Sequence, residues 1–164
     1  MGYLEKIEQA KNIQELFSTA RDLVQEHLGV DQAGLMLGLS DLGINEQGFI
    51  GAFYAPHANM IVVNKRPLQR ILQKKPQWYN SYLFHVLLHE YIHAIGIYDE
   101  QETRNLVYLI SKHHFGDEHL LCHLAKDLGV IRKYVHSQDR EMEPMDTSIE
   151  FLHGVDRRNT NYIQ

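Results

Sequence analysis

The residues best suited to chemistry sit in one short stretch. His89-Glu90-Tyr91-Ile92-His93 places two imidazoles four positions apart, with a carboxylate directly after the first. If the stretch is helical, positions 89 and 93 share a face, about 6 Å apart along the axis, and both rings can reach one divalent ion. Glu90 falls beside them, close enough to hold a water at that ion and too poorly aimed to bind it. Zinc suits imidazole and carboxylate donors, has no redox chemistry and acidifies a water it holds. Three protein ligands plus water make a reactive site; four protein ligands make a structural one.

A helix must carry these side chains, and the pattern supplies one. Residues 77–95 read as helical and strongly apolar, interrupted by Gly96. Val86, Leu87, Leu88, Ile92 and Ile95 flank the motif and predict a largely buried helix. Three ionisable groups on a buried helix need partners. A bound metal supplies them, which argues against two solvent-facing histidines and a chance glutamate.

Around that helix the chain divides into recognisable elements. Leu4, Ile7, Ile13, Leu16, Phe17, Ala20, Leu23, Val24 and Leu28 recur at helical spacing over 3–28, and Gly29 follows as a C-cap. Residues 33–39 form an apolar run of strand length. Residues 48–54 and 59–64 are two further strands, joined closely enough for an antiparallel hairpin. Pro67 is placed to start a helix through about residue 74. Asp99 with Glu102 three residues on is a capping-box signal and opens a helix through about Phe115. Another follows from Gly116-Asp117 to near Gly129. The expected organisation is one α+β catalytic domain over residues 1–130 and a polar tail over 131–164, extended or partly ordered.

Composition excludes several classes. The chain of 164 residues carries 16 Lys+Arg against 21 Asp+Glu, a net charge of −5, so nucleic acid is not the expected partner. A single cysteine, Cys122, cannot make an internal disulfide and fits either a reducing compartment or indifference to redox. No apolar run is long enough for a bilayer span. The first residues are charged where a secretory signal needs an apolar stretch. The expectation is a soluble cytoplasmic protein with no membrane partner and its oligomeric state open.

The motif in this setting resembles the zincin metallopeptidases, whose shared feature is HExxH on an active-site helix preceded by a twisted sheet. In that family an antiparallel edge strand binds the peptide substrate. The resemblance covers roughly residues 33–115, and it makes 59–64 the expected edge strand. It implies a zinc-dependent peptidase acting on a peptide or protein substrate, with His89 and His93 as metal ligands and Glu90 as the catalytic base. The third ligand decides the subclass. HExxHxxGxxD, ending at Asp99, resembles the metzincin spacing with Asp in place of the usual third His. A helix opening at Glu100 resembles the glutamate helix of gluzincins, and the compact soluble minigluzincins most of all. In a helix hairpin turning at Gly96 both Asp99 and Glu100 are in reach. Glu100 is preferred, because Asp99 is accounted for as an N-cap and because the chain enters a helix rather than running to a Met-containing turn; Met142 and Met145 lie in the tail. Glu102 is a third choice, and Arg104 is placed to orient Glu100.

The remaining candidates are weaker. His85 lies about 12 Å along the axis from His93, too far to share its ion, and reads as core or support. His119 and His123 flank Cys122 but lack a carboxylate between them, and read as a polar face. His113-His114 suit a helix C-terminus. Tyr98, Tyr108, Tyr134 and His153 are open as oxyanion stabilisers. The tail residues His136, Asp139, Glu141, Asp146, His153 and Asp156 could dock at the metal and hold the enzyme latent. The alternative from another class is a zincin-like metal-binding scaffold without turnover. A zinc hydrolase of non-peptide amides is a third reading.

Overall fold

The computed structural model describes residues 1–46, 48–135 and 147–155. Within them the chain is α+β, with seven α-helices and a four-stranded mixed sheet. His136, Asp139, Glu141, Met142, Met145, Asp146 and Asp156, named above, lie outside the described residues.

The first predicted helix is two. α1 spans Tyr3–Gln9 and α2 spans Ile13–Leu28. The break is local: the Asn12 side chain accepts from Glu15 N at 2.9 Å, and the Glu15 carboxylate accepts from Lys11 N at 2.7 Å. Those reciprocal bonds restart the helix at residue 13.

The sheet runs β2-β3-β1-β4, with β1 Met36–Ser40, β2 Ala52–Ala55, β3 Met60–Asn64 and β4 Glu150–Leu152. β1 and β3 are parallel, with Met36 opposite Met60 and Ser40 opposite Asn64. β2 and β3 form the expected antiparallel hairpin, with Ala52 opposite Val63. The expected edge strand 59–64 is instead central. All five β3 residues are buried, as a continuous Ile61-Val62-Val63 run requires when both faces are covered. The antiparallel edge beside β3 is β2, whose residues are half-exposed or exposed. From the region read as tail, β4 pairs antiparallel with β1 on the opposite edge.

α3 Lys65–Lys74 follows β3 directly, and a short 3-10 turn at Pro76–Trp78 leads into α4 Tyr79–Ala94. α5 is Glu100–Phe115, α6 Leu120–Lys126 and α7 Gly129–Val135. α4 is the centre of the molecule: it packs on α2, β2, β3, α5 and α6. Its residues Tyr82, Phe84, Leu87, Leu88, Tyr91 and Ile92 are fully buried. A helix covered on so many sides must be apolar nearly all round. None of the described helices is long and apolar enough to cross a membrane.

Asn64 organises the loops beside α4. It is fully buried at the end of β3. Its carbonyl oxygen accepts from Leu42 N at 2.9 Å and Arg66 N at 3.1 Å. Its amide donates to Gly43 O at 3.1 Å and Ile50 O at 2.8 Å. All four of its hydrogen-bonding positions are used. Gly51, next in line, lies so close to α4 that a Cβ there would meet Tyr82 Oη at 3.0 Å and Val86 Cγ1 at 3.2 Å.

Candidate metal centre

The motif residues are aimed by α4, and α4 is rotationally fixed from its far side. Tyr91, midway between the histidines, is buried against α2. Its ring meets Phe17 edge-on at 5.4 Å. Its hydroxyl donates to Asp31 at 2.8 Å and accepts from Gln32 N at 2.9 Å. Asp31 in turn takes both arms of the buried Arg21 guanidinium, at 3.0 and 3.1 Å. With Tyr91 held inward, helical geometry turns positions 89 and 93 outward together.

After Ala94 the chain reverses in five residues. Gly96 has φ +110°, a value that side-chain-bearing residues rarely adopt. The reversal brings Ile97 O to 2.8 Å from His93 Nδ1, so Nδ1–H donates to the carbonyl and the Nε2 lone pair is left facing outward. Thr103 Oγ1 lies 3.2 Å from Ile97 O and 2.9 Å from Asp99 O, its single proton shared between them. Asp99 caps α5: its side chain accepts from Glu102 N at 2.7 Å.

The cap sets Glu100 at the first position of α5, facing the two rings. One Glu100 oxygen is 2.7 Å from His89 Nε2 and the other is 3.1 Å from His93 Nε2. The His89 and His93 rings are 4.9 Å apart, nearly perpendicular. Arg104 Nε stands 3.7 Å from Glu100, four residues on. Glu90 is 7% exposed, and its Oε2 has no hydrogen-bond partner among the described residues. Burial, then the Glu100 charge, pushes the Glu90 carboxyl up to about 8. Burial also holds His89 below its ordinary value, against the raising pull of Glu100.

Together α4, the first half of α5, segment 49–52 and residues 124–128 enclose a cleft of about 620 Å³. Glu90, His89 and Glu100 line it, as does Arg132 from α7.

These residues fit a small divalent ion that favours imidazole and carboxylate. The two Nε2 atoms and the Glu100 oxygens share one space. Their separations are a little under the roughly 3.3 Å between two ligands of a tetrahedral zinc ion. Among the described residues, the buried carboxylate oxygen without a partner is on Glu90; it stands beside that space and needs one. Glu90, His89 and His93 also offer atoms within 4.8 Å of one another.

Other sequence candidates lie elsewhere. Asp99 is occupied as the cap, and Glu102 is exposed beyond it. His85 is buried in the cleft wall, its Nδ1 without a partner among the described residues. Burial, then His89, lowers it to about 3. His119 Nδ1 accepts from Leu121 N at 3.0 Å as the cap of α6, and His123 is exposed. Tyr134 packs on Trp78, the Lys112 and Lys126 ammonium groups sit over Tyr108, and Tyr98 is exposed. The His153 carbonyl accepts from Gln14 beside α2. None of these four lines the cleft. Two positioning residues escaped the sequence reading. Thr103 had a faint signal, a Thr four residues after a cap and able to bond the cap carbonyl. Asn64 had none beyond its place at a strand end.

No family model, curated protein or solved structure matches the chain.

Proposed function

We propose that the chain is a zinc-dependent metallopeptidase that hydrolyses peptide bonds in a zincin-like fold. The observation that carries this reading is the meeting of one Glu100 carboxylate with the Nε2 atoms of both His89 and His93. His89, His93 and Glu100 would hold the ion. When bound, zinc supplies a Lewis acid that polarises the scissile carbonyl and acidifies the attacking water. Ionised in the field of the bound cation, Glu90 orients that water, takes its proton and returns it to the leaving amine. Its burial beside the ligands keeps bulk water from competing for the carboxylate. The Ile97 carbonyl, itself bonded by the Thr103 hydroxyl, holds His93 in one tautomer. The half-exposed β2 edge and segment 49–52 offer backbone groups to an extended substrate, which can add as a strand.

The test pairs metal analysis with Glu90→Gln. The purified chain binds one zinc at this centre, lost in His89→Ala, and cleaves a mixed set of unstructured peptides. Glu90→Gln keeps the zinc and loses about 10²–10⁴-fold in rate. Cleavage by Glu90→Gln at the parent rate, or a zinc-loaded chain that cleaves no peptide, overturns the proposal. The latter result favours the scaffold without turnover.

A further inference from the structure

A second convergence of donors lies at the opposite end of α5. His27, in the last turn of α2, and His114, in the last turn of α5, bring their Nε2 atoms to 2.6 Å. Glu26 Oε2 is 3.6 Å from His114 Nε2. All three residues offer ligand atoms within 4.8 Å of one another. The His113 ring lies 4.8 Å from the His114 ring and 5.6 Å from the His27 ring. Tyr3 closes the cluster from α1: its ring meets His114 edge-on at 5.2 Å, and its hydroxyl bonds Glu26.

Two neutral imidazoles cannot point lone pairs at each other across 2.6 Å. Either one ring carries its proton on Nε2 and the pair is a single N–H···N bond, or both lone pairs face a shared cation. Three features favour the cation. A carboxylate stands within reach as a third donor. Two helix C-termini meet there, and the negative ends of their dipoles favour a cation. The rings need to part by less than about 1 Å to reach the spacing of two ligands on one tetrahedral zinc ion.

We propose that Glu26, His27 and His114 form a second divalent-metal site, which ties the C-terminal end of α2 to that of α5. Two imidazoles and one carboxylate select zinc or a similar transition ion over magnesium or calcium. The site is separate from the first: Glu100 and His114 are about 21 Å apart along α5. It does not depend on the function proposed above. It fastens the N-terminal helices to the helix that carries Glu100.

The experiment uses the full chain and Zn2+ alone as probe, in a His89→Ala/His93→Ala variant that lacks the first centre. That variant retains one equivalent of Zn2+ by equilibrium dialysis, and its melting temperature rises with Zn2+ but not with Mg2+. Adding His27→Ala and His114→Ala removes both the binding and the shift. Glu26→Gln alone weakens binding at least tenfold. Glu26 and His27 are exposed and His114 is largely buried at a helix end; circular dichroism checks that the variants fold. Absence of Zn2+ binding in the His89→Ala/His93→Ala variant overturns the proposal. So does retention of the equivalent after His27 and His114 are replaced. Failure of the first centre reads differently: His89→Ala/His93→Ala then binds as many equivalents as the parent chain.

Discussion

His93 Nδ1 lies 2.8 Å from the carbonyl oxygen of Ile97, a bond across the reversal between α4 and α5. It sets the tautomer of the imidazole from four residues away. The partner is a main-chain atom, so the turn's backbone and not a side chain determines which ring nitrogen is free.

Gly96→Ala tests that dependence. At φ +110° an added Cβ strains the turn by about 1–3 kcal/mol and moves Ile97 O. Zinc affinity at the His89 centre falls about 10–100-fold, the usual effect of losing a ligand's orienting partner, measured by chelator competition. Unchanged affinity would show that the carbonyl does not orient the ring.

Thr103→Val removes the hydroxyl shared by Ile97 O and Asp99 O while keeping the buried volume. The cost is about 1–3 kcal/mol in urea unfolding, with a smaller loss of zinc affinity. Thr103→Ser restores both. A Ser variant as weak as the Val one contradicts a hydrogen-bonding role.

Asp99 and Glu100 should separate cleanly. Asp99→Ala loses the cap and about 1 kcal/mol of stability, with zinc stoichiometry kept. Glu100→Gln changes stability little, since its side chain is 53% exposed, and lowers zinc affinity at least tenfold. The reverse pattern would make Asp99 the third ligand.

Asn64→Ala removes four hydrogen bonds made by a fully buried side chain, to Leu42 N, Arg66 N, Gly43 O and Ile50 O, and stability falls by at least about 2 kcal/mol. Asn64→Asp is no better, because a carboxylate cannot donate to Gly43 O and Ile50 O. Chemical denaturation measures both; a loss below about 0.5 kcal/mol would contradict a role in pinning segment 49–52.

Asp41 carries a pH dependence. Burial raises its carboxyl, but the Arg66 hydrogen bond, the Gly43 N–H and the Arg66 charge outweigh burial and hold it below 3.8. The folded form thus binds its proton at lower pH than the unfolded form. The contribution is complete above about pH 4 and is lost as pH falls through the folded value. Asp41→Asn therefore differs most from the parent chain near neutrality, and the two stability curves converge toward pH 2. Parallel curves would contradict it.

Much of this was readable from the chain alone, where the cause lies within a turn or two of helix. The spacing of His89 and His93 makes them share a face of any helix they occupy. Asp99 and Glu102 announce the start of α5 because a cap is a contact over three residues. The same local logic, Asn12 with Glu15, also signals the break between α1 and α2, but the hydrophobic periodicity running through both helices hid it. Tertiary structure decided the rest. β3 is central and β2 the edge because β1, distant in sequence, pairs parallel with β3. Whether Glu100 meets both rings depends on how α5 docks against α4. His27 and His114 stand 87 residues apart and meet only because two helix ends are packed together. Periodicity and capping are settled by neighbours along the chain. Strand order and the meeting of distant side chains are settled by which faces must be buried together, and that is a property of the whole fold.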